Sequence, residues 1–115
     1  MVSASTRLVC LLGHPVAHSV SPQIHNAAFA AAGVDAVYLG FDVEPEGLAD
    51  AMTGLRSVGF RGANVTVPHK PAALALADAA TTEAQAVGAV NTLFWDGDRL
   101  VADNTDAAGL RTVLE

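Results

Sequence analysis

The chain contains a single lysine, Lys70, at the end of the stretch Gly62-Ala63-Asn64-Val65-Thr66-Val67-Pro68-His69-Lys70. The alternation predicts a strand with Ala63, Val65 and Val67 on one face and Asn64 and Thr66 on the other. Pro68 has no N–H to donate and ends the ladder. Pro71 is a favoured first helical residue, so Lys70 falls at a helix N-terminus. The partial positive charge there disfavours a cation and pushes a lysine pKa down. Most lysines are simply solvated, so position alone favours a solvated loop lysine while leaving a proton-handling lysine open. Further hydrogen-bonding side chains stand in other loops and at other element starts: Ser19 and Ser21, Asn91, and Asp106.

The elements that would position these groups can be read from hydrophobic period and punctuation. Arg7–Gly13 is a buried strand, continuously apolar from Leu8 to Leu12 and closed by glycine. A loop rich in hydroxyls and imidazoles leads to a helix that Ser21 caps, with Pro22 at its first position. Ile24, Ala27, Ala28 and Ala31 share one face of that helix, and Gly33 ends it in a left-handed cap. Residues 36–43 form a second strand. A helix opens at Pro45, carries Leu48, Ala51, Met52 and Leu55 on one face, and closes at Gly59 with Phe60 as the capping contact.

After the Lys70 strand, residues 71–80 read as helix and Thr82–Val87 as a second short helix ending at Gly88. Residues 91–95 and 99–102 are short strands about the turn Asp96-Gly97-Asp98, so one of them runs antiparallel. Asn104, Thr105 and Asp106 offer caps to a last helix over 107–114. Strands alternating with helices imply right-handed crossovers. The expected fold is a three-layer α/β/α domain over residues 1–115, with a mainly parallel twisted sheet of about six strands and helices on both faces. The final helix reaches Glu115 without a stop signal, which fits either a piece of something longer or a cloning remnant.

Composition excludes several function classes. The 115 residues are 51% apolar with few aromatics, enough for one core of small aliphatic side chains. Cys10 lies in an apolar run and has no disulfide partner, as in a cytoplasmic protein. The run over 9–12 is too short for a signal-peptide core or a membrane span. A net charge of −6 with no basic stripe argues against nucleic acid or an anionic membrane as partner. An anion would therefore be held by local hydrogen bonds.

In an open parallel sheet, ligands bind beyond the carboxyl ends of the strands. The first strand ends at Ser19 and Ser21, the third at Thr66 and Lys70, and the hairpin at Asp103 to Asp106, so these groups are expected to share one rim. Each also has a structural role open to it. Ser21 serves as a cap, Asn64 and Thr66 as partners for neighbouring loops, and Asp106 as a favourable charge at a helix start. His14, His18, His25 and His69 lack ligand spacing, since Pro15 and Pro22 break any i, i+4 presentation, and no metal is expected. No G-x-G pair occurs, hence no dinucleotide fingerprint, and no G-x-S-x-G elbow marks a covalent hydrolase.

The motifs in combination are specific. Gly13-His14-Pro15 with His18-Ser19-Val20-Ser21-Pro22 and His25-Asn26 resembles the opening motif of the shikimate dehydrogenases. Asn64-Val65-Thr66-Val67-Pro68-His69-Lys70 resembles their second motif, Gly88-Ala89-Val90-Asn91-Thr92 their third, and Asp103-Asn104-Thr105-Asp106 with Gly109 their fourth. Ala102 departs from the family's usual glycine before the last motif. The resemblance implies the amino-terminal, substrate-binding half of an enzyme that reduces 3-dehydroshikimate to shikimate with NADPH, the cofactor being held by a covalently linked Rossmann domain that follows.

Carried over residue by residue, the resemblance implies that Ser19 and Ser21 bind the substrate carboxylate. Asn64 joins the substrate-binding set, and Thr66, Lys70, Asn91 and Asp106 contact ring hydroxyls. Lys70 is implied as the proton donor and acceptor at the reacting oxygen, with Asp106 beside it. Hydride delivered to a ketone makes an alkoxide, which a nearby acid must stabilise and protonate. This chain alone would then bind substrate without turning it over, and a homodimer stays open. A quinate or quinate/shikimate dehydrogenase shares nearly every motif; Ser21, where threonine is expected more often in quinate-preferring relatives, favours shikimate. A stand-alone, non-catalytic binding module is the alternative from another class.

Overall fold

A computed structural model describes residues 1–105. In chain order they form β1 (Arg7–Gly13), α1 (Ser21–Ala32), β2 (Ala36–Asp42), a single 3-10 turn (Pro45–Gly47), α2 (Leu48–Ser57), β3 (Gly62–Val65), α3 (Lys70–Leu76), β4 (Ala79–Ala80), α4 (Thr82–Val87), β5 (Thr92–Asp96) and β6 (Arg99–Asp103). One six-stranded sheet runs β2-β1-β3-β5-β6-β4. β1 pairs parallel with β2 and β3, β4 pairs parallel with β6, and β5 is antiparallel to both of its neighbours. The helix expected over 107–114 lies outside the described residues.

The apolar core fills one side of the sheet. Cys10 and Leu12 of β1, Ala63 and Val65 of β3, Leu93 of β5 and Leu100 and Ala102 of β6 meet Leu48, Met52 and Leu55 of α2 and Ala73 of α3. Burying each of the larger side chains contributes about 1.5–3 kcal/mol relative to leaving it exposed. The Ala102 methyl is fully buried in this layer. Burial also pushes the Cys10 thiol up to about 12, which keeps it protonated and inert. α2 ends as its sequence dictates: Gly59 adopts φ +70°, and the Phe60 N–H returns to the Leu55 carbonyl at 3.1 Å.

α1 covers the other side, and its orientation corrects the expectation. Ile24, Ala27, Ala28 and Ala31 face outward, and the half-buried residues are Pro22, His25, Asn26 and Phe29. The reason lies in β2, an edge strand whose Tyr38 has an outward-facing N–H and C=O. The Asn26 side chain supplies both missing partners, accepting from Tyr38 N at 2.8 Å and donating to Tyr38 O at 2.9 Å. An amide that completes a ladder outweighs the weak apolar pull of a few alanine methyls.

Two other expectations are revised. β3 stops at Val65, and Val67 lies in the following turn with 64% of its surface exposed, so it does not share the face of Ala63 and Val65. The helix expected over 71–80 ends at Leu76, because Ala79 and Ala80 pair with Val101 and Ala102 as the outermost strand β4. Alanine's helix propensity yields there to a free sheet edge.

Candidate functional site

The strand directions bring the ends of β1, β3 and β6 and the start of β5 to one rim. Backbone hydrogen bonds stitch the rim together: Thr66 N to Leu12 O at 2.9 Å, Val65 N to Asn91 O at 2.8 Å, Asn91 N to Asp103 O at 3.0 Å and Val90 N to Lys70 O at 3.0 Å. Asn64, Thr66, Lys70 and Asn91 are therefore held on neighbouring segments by main-chain geometry. Each of them is half-buried, as are Ser19 and Ser21 in the loop after β1, so each keeps part of its surface toward solvent. Asp106 lies outside the described residues.

The side chains are oriented by their partners. Helix α1 includes Ser21 as its first residue, and its N-cap is Val20, so Ser21 is not the cap expected from its type. The capping function falls to Ser19, whose Oγ accepts from Ser21 N at 3.2 Å. Asn64 Oδ1 accepts from the Tyr38 hydroxyl at 3.0 Å. Asn91 is fixed three ways: its Oδ1 accepts from Thr92 Oγ1 at 3.0 Å and Thr105 N at 3.1 Å, and its Nδ2 donates to Thr105 Oγ1 at 2.9 Å. One Asn91 amide hydrogen remains for a ligand. Asn64, Thr92 and Asp103 stand in register across β3, β5 and β6, forming a polar row on the α1 side of the sheet.

Lys70 opens α3 as expected, with Pro71 behind it and His69 as N-cap. His69, 1% exposed, donates from Nε2 to the Val43 carbonyl at 2.6 Å, anchoring the start of α3 to the end of β2. Among the described arginines and lysine, Arg7, Arg61 and Arg99 lie at the beginnings of strands and Arg56 pairs with Asp78 at 3.0 Å, all toward the opposite rim. Lys70 is the one at this rim. Two further imidazoles have structural work: His25 stacks on Tyr38 at 4.4 Å between centroids, and His14 meets Asp42 at 2.5 Å. No group of three or more His, Cys, Asp or Glu able to hold a metal occurs among the described residues.

Sequence reasoning missed Tyr38, the buried partner of Asn64, and the clamp that Asn26 places on it. The chain's single tyrosine in an otherwise apolar strand was the available signal. Two cavities, of about 560 Å³ beside Phe29, Gly33 and Asp35 and about 460 Å³ beside Phe60 and Trp95, lie at the far end of the sheet and include none of the candidate residues.

Gly13 makes the rim possible. A Cβ there would stand 2.4 Å from Thr66 Cγ2 and 3.0 Å from Val16 Cγ1, and β-branched threonine has little rotamer freedom to yield. Gly13→Ala is expected to cost about 1–3 kcal/mol of stability and to displace Thr66. Denaturant melts together with the Thr66 amide shift test this; an unmoved Thr66 resonance would contradict it.

The His14–Asp42 contact makes a pH prediction. Hydrogen bonding to Asp42, aided by the charges of Asp42, Glu44 and Glu46, raises the His14 pKa above its ordinary value. A raised folded-state pKa gives stabilisation that is fully present below about 6.5 and fades as pH rises through the folded value. Asp42→Asn should lower the His14 midpoint in an NMR titration; an unchanged midpoint would show that the contact does not set it.

Comparison with known proteins agrees with the motif reading. Residues 11–93 match the family model of the shikimate dehydrogenase substrate binding domain. A shikimate dehydrogenase (NADP(+)) of Salinibacter ruber is 57% identical over 99% of this chain and 40% of its own length, and one of Moorella thermoacetica is 56% identical over 99% and 39%. The crystal structure of a Listeria monocytogenes shikimate 5-dehydrogenase with shikimate and NAD superposes with a TM-score of 0.91 at 39% identity, covering 98% of this chain and 39% of that one. The chain thus spans about 40% of the length of the curated relatives it matches.

Proposed function

The chain belongs to the shikimate dehydrogenase substrate-binding domain family, and from that membership we propose that it is the substrate-binding and catalytic part of an NADP-dependent oxidoreductase interconverting 3-dehydroshikimate and shikimate. The observation that carries this reading is the rim itself. Ser19, Ser21, Asn64, Thr66 and Asn91, half-buried hydroxyl and amide residues, stand on segments that end at the rim carrying the one lysine, with the described arginines elsewhere. A polyhydroxylated carboxylate asks for such a set: many hydrogen bonds, and a single proton carrier at the carbon that changes oxidation state.

Ser19 and Ser21 bind the carboxylate by their hydroxyls, compensating for a domain whose net charge of −6 gives an anion no long-range attraction. Thr66 and Asn91 hold ring hydroxyls and fix which carbon faces the reductant. Lys70 Nζ holds the proton that passes to the reacting oxygen in reduction and returns in oxidation, and Asp106 orients the ammonium group. The described residues contain no glycine-rich phosphate cradle: β1 runs into Gly13-His14-Pro15, and the first amide of α1 is already taken by Ser19 Oγ. NADP, which supplies or accepts the hydride, is held on this reading by a linked carboxyl-terminal dinucleotide-binding domain.

The test is an amide-shift NMR titration of this chain with shikimate and, in parallel, quinate. Shifts confined to Ser19, Ser21, Asn64, Thr66, Lys70, Asn91 and Asp106, with shikimate the tighter ligand, are expected. Tighter quinate binding would assign the chain to the quinate branch of the family, and silence toward both ligands would refute the reading.

A further inference from the structure

Tyr38 touches none of the rim's open surface, yet it is tied to one of the residues that face it. It is completely buried. Its hydroxyl donates to Asn64 Oδ1 at 3.0 Å. Its own position is over-determined: Asn26 holds its N–H and C=O, and His25 lies flat against the ring, with 7° between the planes. α1 therefore grips Tyr38, and Tyr38 reaches under the sheet end to Asn64.

A phenol has one hydrogen to give. Here it goes to Asn64 Oδ1, which fixes the amide with its oxygen toward the tyrosine and its NH₂ group turned away. Burial pushes the Tyr38 pKa up to about 12, so this hydrogen stays in place across the range in which such a protein works. An asparagine at an open rim would otherwise present either end of its amide, and a ligand oxygen would meet a donor or an acceptor with similar frequency.

We propose that Tyr38 is a positioning residue that locks Asn64 as a hydrogen-bond donor toward the ligand, selecting a ligand that offers an oxygen lone pair at that point. The inference rests on the functional reading above and deepens it: of the two half-buried asparagines at the rim, Asn91 is set by Thr92 and Thr105, and Asn64 is set by Tyr38. It also accounts for His25 and Asn26, which lie one and a half turns into α1 and have no access of their own to the reacting groups.

The experiment compares shikimate affinity of the wild-type chain, Y38F, N64A and the Y38F/N64A double variant by NMR titration. Y38F is expected to weaken binding about tenfold, and to cost no more than about twofold once Asn64 is already alanine. A purely structural role for Tyr38 would give the same loss in both backgrounds, and that result, or no loss in Y38F, overturns the proposal. Should Y38F fail to fold, the wild-type chain still decides: the Asn64 side-chain NH₂ signals must shift with shikimate, and their immobility overturns the proposal. The ligand-free protein separates this inference from the reading beneath it. There, Y38F should move the Asn64 NH₂ signals even if shikimate does not bind the wild type at all; unmoved signals reject the Tyr38 assignment, and silence toward shikimate alone rejects the functional reading.

Discussion

On the proposed function, Lys70→Met in an enzyme carrying this chain and the proposed dinucleotide-binding domain is expected to lower kcat for 3-dehydroshikimate by about 10²–10⁴-fold, the contribution usual for a positioned general acid. Methionine keeps the length and the aliphatic stem of lysine and removes the amine. The Lys70 main-chain bond, from Val90 N to its carbonyl at 3.0 Å, survives the change, as does the His69 anchor that sets the start of α3. The fold and the other rim groups are thus retained, and shikimate affinity should fall by less than about tenfold, the range of one hydrogen bond involving a charged group. Because the lost interaction belongs to the transition state, kcat and kcat/KM should fall together. A kcat within threefold of wild type would remove Lys70 from the chemistry; a rise in KM with kcat unchanged would reduce it to a binding residue.

How far this site was legible in the sequence depends on the kind of information each part needed. Lys70 at a helix start and the hairpin about Gly97 are local, set by proline, glycine and alternation within a few residues, and they stand as read, while the strand before Lys70 stands only as far as Val65. That the ends of β1, β3 and β6 and the start of β5 meet at one rim follows from strand direction alone. What sequence reasoning could not reach was register and face. The α1 side facing the sheet is the polar side, because Asn26 meets an unpaired strand edge twelve residues away, and no periodicity in Ile24, Ala27, Ala28 and Ala31 encodes that partner. The Ser19 and Ser21 roles at the helix start were exchanged for a similar reason: both are capping types, and the backbone turn decides which hydroxyl reaches an amide. Ala79 and Ala80 are helix formers by propensity and strand by circumstance, since the edge of β6 is open to them. For α1 and for Ala79 and Ala80, a long-range partner overrode a correct local preference.

Phe60→Ala tests whether the two ends of the sheet are energetically separate, and it is expected to be the most destabilising single change in the core. Phe60 is 1% exposed and packs edge-on to Trp95, with ring centroids 5.7 Å apart. Truncation of a buried phenylalanine costs about 3–5 kcal/mol, a large share of the roughly 5–15 kcal/mol that holds a domain folded. The melting temperature should drop by more than about 10 °C. Trp95 is the chain's only tryptophan, and its Nε1 donates to the Phe60 carbonyl at 2.7 Å while Arg56 stands 5.8 Å from its ring centre. Its fluorescence therefore reports directly on this corner and should red-shift as water enters. Phe60 precedes β3, whereas Asn64 lies in its second half and Thr66 and Lys70 follow it, so part of the strand separates the Trp95 corner from these residues. At a temperature where the variant is still folded, shikimate should bind with near wild-type affinity, because sites without shared partners add independently. An affinity loss much greater than twofold under those conditions would mean that β3 transmits strain from the Trp95 corner to Asn64 and Thr66, and the rim could then no longer be treated as a site built by its own local contacts.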